Sequence, residues 1–222
     1  MSKRIIALLL TLTLLVSCLP MGAVAEPVEE AHIHCVCGKQ TTLDAVCDSC
    51  GQVAVEWTAT DALPSAAGYY YLTQPVSAEA VECKGDFQTA ICLHGQTVTS
   101  TTGGQILSAA NGATVVITDC ADEQGKITGA STYTLGSAIR VKKGSTFIMY
   151  GGKITGNTAP SNGDGTVYVD KGDSTTAGGA FYMYGGEISG NTCKRGTVMM
   201  TNATGTEKSA VVRILGGTIT GN

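Results

Sequence analysis

The sequence predicts an all-β fold, a right-handed parallel β-helix of about five turns with three short strands in each turn. The first observation is a repeated motif, Gly-x-Ile-Ser/Thr-Gly-Asn, which ends four segments alike, at residues 125–130 (with alanine last), 152–157, 186–191 and 217–222. The second is composition, because 29 glycines and only 14% charged residues suit short strands joined by tight turns. The third is the alternation of apolar and polar residues before each motif, which has the period of a strand.

The isoleucines of the motif give the period of the repeat. They are 27, 34 and 31 residues apart, at Ile127, Ile154, Ile188 and Ile219. A period near 30 with variable length is typical of a solenoid whose turns share one cross-section and differ in their loops. We therefore expect these isoleucines to stack inside the β-helix, with ~4.8 Å between successive turns.

Alternation also assigns the strands and their faces. The clearest turn is expected to have its first, second and third strands at residues 138–142, 146–150 and 153–155. The most divergent turn is expected to begin with a first strand at residues 69–73. On the first strands, the alternation places Leu107 and Ala109 outward, in the same rows as Arg140 and Lys142.

The asparagine that closes the motif predicts a ladder. Asn157, Asn191 and Asn222 occupy the same position of the repeat, so they are expected at one corner of successive turns. Their amide groups carry both donors and acceptors and can bond to each other or to the backbone of the bend. Asparagine tolerates the left-handed backbone region better than most residues, so it is expected to make the bend itself.

The N-terminus has the layout of a secretory signal peptide over residues 1–25. A positively charged start is followed by an apolar run at residues 5–16 and by an Ala-Val-Ala cleavage site that ends at Ala25. The run is shorter than the ~20 residues that span a bilayer. A second interpretation stays open, because the residues before Cys18 resemble a lipoprotein box in which that cysteine becomes the lipidated N-terminus. Both predict a bacterial protein that is secreted or held at the cell surface.

The mature chain is expected to have three parts. A cysteine-rich module covers residues 26–56, a linker of small residues and proline covers 57–68, and the β-helix covers 69–222. The sequence stops within a repeat and shows no closing cap, which solenoid ends need, so a fragment of a longer protein is the expectation.

Four of the nine cysteines crowd into the cysteine-rich module. Their spacing, Cys35-x-Cys37-Gly and Cys47-x-x-Cys50-Gly, is typical of a small structural zinc site closed by four protein ligands. His34 is an alternative to Cys35, because it stands three residues before Cys37. Two disulfides are the competing interpretation, since an exported chain meets an oxidising environment.

Aromatic side chains are expected in a row on the outer face of the second strands. Tyr150, Tyr182 and Tyr184 fall at outward positions of successive turns. An exposed aromatic platform suits a sugar ring or a partner surface. The alternative is that tyrosine, which is common in strands, only covers the sheet.

Catalytic residues are not predicted. The outward positions of the first strands carry one carboxylate, Asp170, beside Arg140 and Lys142, which predicts an ion pair between turns. A glycosidase needs a second carboxylate nearby, and the neighbouring turns supply none at these positions.

Residues 147–157 and 181–191, which contain Tyr-Gly-Gly-x-Ile-Ser/Thr-Gly-Asn, resemble the pectin-lyase-like β-helix superfamily. The chain is most similar to the large surface proteins of anaerobic bacteria that carry Gly-Gly-x-Ile-Ser/Thr-Gly-Asn repeats. His34-Cys-Val-Cys-Gly38 resembles a short motif that often follows the signal peptide in such proteins. The superfamily contains lyases, hydrolases, adhesins and stalks, so the resemblance implies the fold more strongly than an activity.

The function expected from these observations is that of a non-enzymatic exported scaffold: an adhesin, a stalk or a glycan-binding protein. Its partners would be a polysaccharide or another surface protein, and its only cofactor a structural zinc. A net charge of −4 gives no basic footprint for nucleic acid. The alternative is a polysaccharide lyase or glycoside hydrolase whose active site lies on turns outside this sequence.

Overall fold

A computed structural model describes residues 31–131, 137–159 and 165–222. Within these ranges the secondary structure consists of β-strands and turns, and there is no helix. It follows that these ranges hold no helix long and apolar enough to cross a membrane. The predicted signal peptide and Cys18 lie outside the described residues.

Three parallel sheets form the walls of the molecule, and the predicted parallel β-helix is confirmed. Sheet A contains β3 (Thr58–Thr60), β4 (Gly68–Leu72), β7 (Gln88–Cys92), β10 (Thr114–Thr118), β13 (Thr146–Met149), β17 (Ala180–Met183) and β21 (Val211–Ile214). Sheet B contains β5 (Val76–Ala78), β8 (Thr97–Ser100), β11 (Lys126–Thr128), β14 (Lys153–Thr155), β18 (Glu187–Ser189) and β22 (Thr218–Thr220). Sheet C contains β6 (Val81–Lys84), β9 (Leu107–Ala110), β12 (Ile139–Val141), β16 (Val167–Val169) and β20 (Val198–Met200).

Two small pairs complete the described strands. The antiparallel pair is β1 (Ile33–His34) with β2 (Val55–Glu56), and the parallel pair is β15 (Thr158–Ala159) with β19 (Thr192–Cys193). The chain passes from sheet A to sheet B to sheet C and then returns to sheet A one turn further on.

The inner faces of the three sheets enclose one apolar core. Ile127, Ile154 and Ile188 are paired in register on sheet B and are almost fully buried. Phe147 and Phe181 stack in the same way on sheet A, with ring centroids 6.1 Å apart. On the last turn the corresponding inward positions are exposed, because that turn has a neighbour on one side only: Met200, Ile214 and Ile219.

In the first turn of the β-helix, the strands belong to different sheets from those predicted. Residues 69–73 were expected to form a first strand, in the position of sheet C. Instead, β4 pairs with β7 in sheet A, and the chain first reaches sheet C at β6. The strand β5, which the sequence analysis missed, supplies the sheet B side of this turn. Alternation identifies a strand but not the sheet to which it belongs, so this prediction was wrong.

The register of β9 also differs from the prediction by one residue. Leu107 and Ala109 were expected to point outward, but both are fully buried, and Ser108 is the residue paired with Arg140. Ile106 and Leu107 are adjacent apolar residues, and both are buried. The apolar residues of this stretch therefore fit two registers, and a shift of one residue between them turns every side chain to the opposite face of the sheet.

The asparagines of the motif form a ladder along one corner of the β-helix. Asn157 and Asn191 are each only 2% exposed. The Asn157 amide donates to the Asn191 Oδ1 atom at 3.0 Å, and the Asn191 amide donates to the Asn222 Oδ1 atom at 2.8 Å. Each amide also donates to backbone carbonyls of its own turn and of the preceding one.

Glycine, and not asparagine, makes the bend at this corner. Gly156, Gly190 and Gly221 have φ angles of 65°, 59° and 60°, whereas Asn157 and Asn191 have no positive φ. Glycine lacks the Cβ atom that makes this region costly for other residues. The expectation that asparagine takes the left-handed conformation was wrong, and its contribution lies in its side-chain hydrogen bonds.

The segment expected to be a linker, residues 57–68, is part of the folded unit that covers residues 31–222. Its strand β3 extends sheet A by pairing with β4. Trp57 is 3% exposed, and Leu63 belongs to the apolar core of the β-helix.

Candidate functional site

The N-terminal module, residues 31–56 in the structure, is closed by β1 and β2 and by two tight turns. Each turn follows a pair of cysteines. The Gly38 N–H donates to the Cys35 carbonyl and the Gly51 N–H donates to the Cys47 carbonyl, both at 2.8 Å. Gly38 and Gly51 have φ angles of 83° and 69°, which glycine adopts readily. These turns direct the cysteines of both pairs toward one point.

Three of the four predicted cysteines have sulfurs that are mutually close, and the fourth, Cys37, lies beside Cys47. The four together are here called the cysteine cluster: Cys35, Cys37, Cys47 and Cys50. The Sγ atoms of Cys35, Cys47 and Cys50 lie within 4.8 Å of one another, and the Cys37 Sγ atom is 3.6 Å from that of Cys47. All four are free thiols. In a tetrahedral zinc site with ~2.3 Å bonds, neighbouring sulfurs are ~3.8 Å apart. The cysteine cluster is therefore close enough to bind a metal ion.

The thiols of the cysteine cluster differ in their protonation. Burial raises the pKa of Cys35 to about 12. Burial also acts to raise the pKa of Cys47, but hydrogen bonds from the Cys35 thiol and from the backbone N–H groups of Cys50 and Ser49 lower it overall. The donors around the Cys47 sulfur thus favour its thiolate, which is the form that binds a metal cation.

His34 does not join the cysteine cluster. It belongs to a second group, here called the histidine–cysteine cluster: His32, His34, Cys92 and Cys120. One ligand atom from each of the four lies within 4.8 Å of the others. The Cys92 and Cys120 Sγ atoms are 3.3 Å apart, and the His32 Nε2 atom is 3.5 Å from the Cys120 sulfur.

Three separate parts of the chain supply the histidine–cysteine cluster. The histidines come from the start of the module, Cys92 ends β7, and Cys120 follows β10 on the next turn. Sequence reasoning missed this group because no short motif joins its members. A signal does exist, since Cys92 and Cys120 are 28 residues apart, close to the period of the repeat.

The hydrogen bonds of His34 fix the orientation of its ring. Its Nδ1 atom lies 2.7 Å from the Cys35 carbonyl oxygen, which only accepts, so Nδ1 carries the proton. Its Nε2 atom is buried without a hydrogen bond of good geometry. The indole of Trp57 stacks on the ring at 4.0 Å and donates to the His34 carbonyl at 2.9 Å. Metal-binding histidines commonly donate the hydrogen of their second ring nitrogen to a carbonyl or carboxylate, as His34 Nδ1 does to the Cys35 carbonyl.

The surroundings of Cys120 favour its thiolate more than those of Cys92 favour the Cys92 thiolate. The hydrogen bond from the Cys92 thiol lowers the pKa of Cys120, and His34 and His32 lower it as well. The same hydrogen bond, together with burial, raises the pKa of Cys92. Burial lowers the pKa of His32 and so favours the neutral imidazole. Neutral imidazoles and a thiolate are the forms in which these side chains bind metals.

The module covers the outer face of sheet A on the first turns. Val36 and Trp57 pack there against Tyr71, Ala90 and Val116. This contact explains why the outward positions of these turns are apolar or small. The histidine–cysteine cluster lies in the same contact, since it joins the module to two turns of the β-helix.

No family model, curated protein or solved structure matches this chain. What the residues can do is therefore inferred from their geometry and chemistry.

Tyrosines continue the outer face of sheet A where the module ends. The rings of Tyr150 and Tyr184 stack with centroids 5.0 Å apart and planes 16° apart, and Tyr184 is 46% exposed. Tyr182 is paired with Ile148 and points outward beside them. Tyr150 and Tyr184 line a cleft of about 750 Å³ that the module borders with Ser49 and Gln52.

The outer face of sheet C carries ion pairs between turns. The Arg140 guanidinium contacts both carboxylate oxygens of Asp170, at 3.0 and 3.1 Å. Lys142, which was expected near Asp170, instead pairs with Glu82. In the loops that follow the strands of sheet C, Lys171 pairs with Glu207.

Proposed function

We propose that the chain is a non-enzymatic exported scaffold that binds glycans in the cleft between the module and the outer face of sheet A. The stacked pair Tyr150 and Tyr184 carries this proposal. The flat face of a sugar ring packs on an aromatic ring, while its hydroxyl groups need polar partners at the edge. The cleft offers both, because Lys39, Ser49 and Gln52 border it on the module side.

The ionisable groups of sheet C support a scaffold more than an enzyme. Asp170 and Glu207 each face an arginine or lysine of the neighbouring turn, and Glu82 faces Lys142 across the intervening strand β9. Paired carboxylates of this kind hold turns together, whereas a glycosidase keeps two carboxyl groups facing one bond of the substrate. The exported, cell-surface location is part of the same proposal and rests on the sequence pattern of residues 1–25.

Glycan binding is tested by screening the purified protein on a glycan array and titrating the best ligand. Replacing Tyr184 by alanine is expected to weaken binding at least tenfold, because it removes the exposed half of the stacked pair. Tyr168→Ala on sheet C is the matched control and should bind as the unmodified protein does. Equal binding by Tyr184→Ala would show that the tyrosines only cover the sheet. Release of unsaturated or reducing ends from a polysaccharide would show that the chain is an enzyme.

The proposal includes a structural zinc ion in the cysteine cluster. Four cysteine sulfurs would complete its coordination and leave no open position for a substrate, so the metal would hold the module in shape. Protein purified under reducing conditions should contain zinc, and Cys47→Ser/Cys50→Ser should lower the content by one ion per chain. Two intact disulfides among these cysteines, seen by mass spectrometry, would contradict it.

A further inference from the structure

We infer that the histidine–cysteine cluster is a second zinc site, which fastens the module to the β-helix through His32, His34, Cys92 and Cys120. This site is distinct from the cysteine cluster, because the two groups share no side chain. It is a separate proposal from glycan binding, although Cys120 also lines the cleft that contains Tyr150 and Tyr184.

The distances fit tetrahedral coordination. With bonds of ~2.3 Å to sulfur and ~2.0 Å to nitrogen, a zinc ion separates two sulfurs by ~3.8 Å and a sulfur from a nitrogen by ~3.5 Å. The observed Cys92–Cys120 and Cys120–His32 separations are 3.3 and 3.5 Å. A disulfide would need sulfurs only ~2.05 Å apart. These two separations are thus within about half an ångström of those that a zinc ion requires, and all four ligand atoms lie within 4.8 Å of one another.

The His34 ring is prepared for a metal ion. Its Nδ1 atom is engaged by the Cys35 carbonyl, so Nε2 is the ring nitrogen that faces the cluster. A buried nitrogen without a good hydrogen bond is costly, and coordination removes that cost. The same hydrogen bond links the two clusters, because its acceptor is the backbone of a residue of the cysteine cluster.

Two thiolates and two imidazoles select the metal. This ligand set suits zinc, whereas calcium and magnesium prefer oxygen ligands. Four protein ligands close the coordination sphere, so the site is structural. Its effect follows from its location, since it ties the start of the module to two consecutive turns of sheet A.

X-ray absorption spectroscopy combined with zinc analysis tests the inference on protein purified under reducing conditions. The unmodified protein should contain two zinc ions with, on average, three sulfur and one nitrogen neighbours. Cys92→Ser/Cys120→Ser should retain one zinc with four sulfurs. Cys47→Ser/Cys50→Ser should retain one zinc with two sulfurs and two nitrogens. Cys193→Ser, which alters a cysteine outside both clusters, should keep both ions.

A milder variant covers the case in which the double variant does not fold. His32→Gln leaves every cysteine in place and should release one of the two zinc ions to a chelator at least tenfold faster. The inference is overturned if the unmodified protein holds a single zinc surrounded only by sulfur. A Cys92–Cys120 disulfide in the purified protein, or unchanged zinc release from His32→Gln, would overturn it equally.

Discussion

Asparagine side chains replace missing backbone partners at the corner between sheets B and C. The Asn157 Oδ1 atom accepts the Ala130 N–H at 3.1 Å, and the Asn157 amide donates to the Ile127 carbonyl at 3.2 Å. Those groups belong to the preceding turn, where the chain bends away from the sheet. An apolar residue at this position would leave them buried and unpaired.

Replacing Asn157 by alanine should therefore destabilise the fold by about 2–4 kcal/mol, the cost of stranding two buried backbone groups. Urea unfolding followed by circular dichroism measures the effect. Asn202→Ala is the control, because Asn202 is exposed, and it should change the free energy of unfolding by less than ~0.5 kcal/mol. Equal effects of the two substitutions would mean that the ladder does not stabilise the corner.

Two glycines, one between sheets A and B and one in the loop that leads from β20 to β21, allow a second comparison at single residues. Gly186 has a φ of 82°, and a Cβ atom there would lie 2.7 Å from the Gly152 carbonyl oxygen. Gly205 has a φ of 60°, but a Cβ atom there would meet nothing within 4 Å.

Alanine at Gly205 should cost only the backbone penalty of about 1–2 kcal/mol. Alanine at Gly186 should cost about 1–3 kcal/mol more, because the turns must also move apart. Thermal and urea unfolding of both variants give the difference. If Gly186→Ala were no more harmful than Gly205→Ala, the close stacking of turns at this glycine would not limit the fold.

Loops between strands are fastened by ion pairs that make stability depend on pH. The Lys171 ammonium is 2.7 Å from the Glu207 carboxylate, and with hydrogen bonds from Thr204 it lowers the pKa of Glu207 to about 2. An unfolded glutamate has a pKa of ~4.3. The folded group holds its proton more weakly, so its contribution is complete above pH ~4.3 and is lost as the pH falls to about 2.

Glu207→Gln should flatten the decline of stability between pH ~4.3 and 2, because glutamine does not titrate in this interval. The urea midpoint measured across this range tests the expectation. Glu79→Gln is the control, since Glu79 is exposed, and it should leave the slope unchanged. An unchanged slope in Glu207→Gln would mean that the ion pair does not persist in solution.

The sequence predicts elements well where a motif repeats and less well where it does not. The stacked isoleucines could be placed because each has the same neighbours in every turn. The strand β4 could not be placed, because its sheet depends on loop lengths that alternation does not encode. Ile106 and Leu107 are both apolar, so the register of β9 had two solutions that differ by one residue.

The candidate site divides in the same way. The cysteine cluster is local, so spacing within 16 residues was enough to predict its four members. The histidine–cysteine cluster joins residues 88 positions apart, because folding places His32 against Cys120. From the sequence, such a group can be predicted only if cysteines that are one repeat apart are expected to stack, as the isoleucines are.

At the scale of the whole molecule, the described residues form three separate apolar clusters, and the smallest of them, Cys35, Cys47 and Ala54, lies inside the module. The core inside the three sheets contains no residue of the module. A separate cluster under the module contains Val36 and Trp57 with the outer face of sheet A. The β-helix can therefore keep its own core when the module detaches from it. The module, in contrast, depends on its contact with the outer face of sheet A and on the proposed metal ions.

Trp57 reports on this division, because it is the only tryptophan of the chain and is 3% exposed. Removing zinc with a strong chelator should shift its emission to the red, since the indole loses the His34 ring and carbonyl as partners. The strand signal in circular dichroism should persist. Zinc at a thousand times its dissociation constant stabilises the folded module, which binds it, by about 4 kcal/mol. Chelation removes this stabilisation and leaves the module held only by its contact with sheet A.

The variants separate the two sites in this measurement. Cys92→Ser/Cys120→Ser should shift the Trp57 emission to the red even without chelator, because it removes the proposed zinc site next to Trp57. The control, Cys193→Ser, should respond to the chelator as the unmodified protein does. Elemental analysis must show that the chelated sample is free of zinc. An unshifted emission in that sample would mean that packing of Val36 and Trp57 alone holds the module. Loss of the strand signal together with the shift would mean that module and β-helix unfold as one cooperative unit.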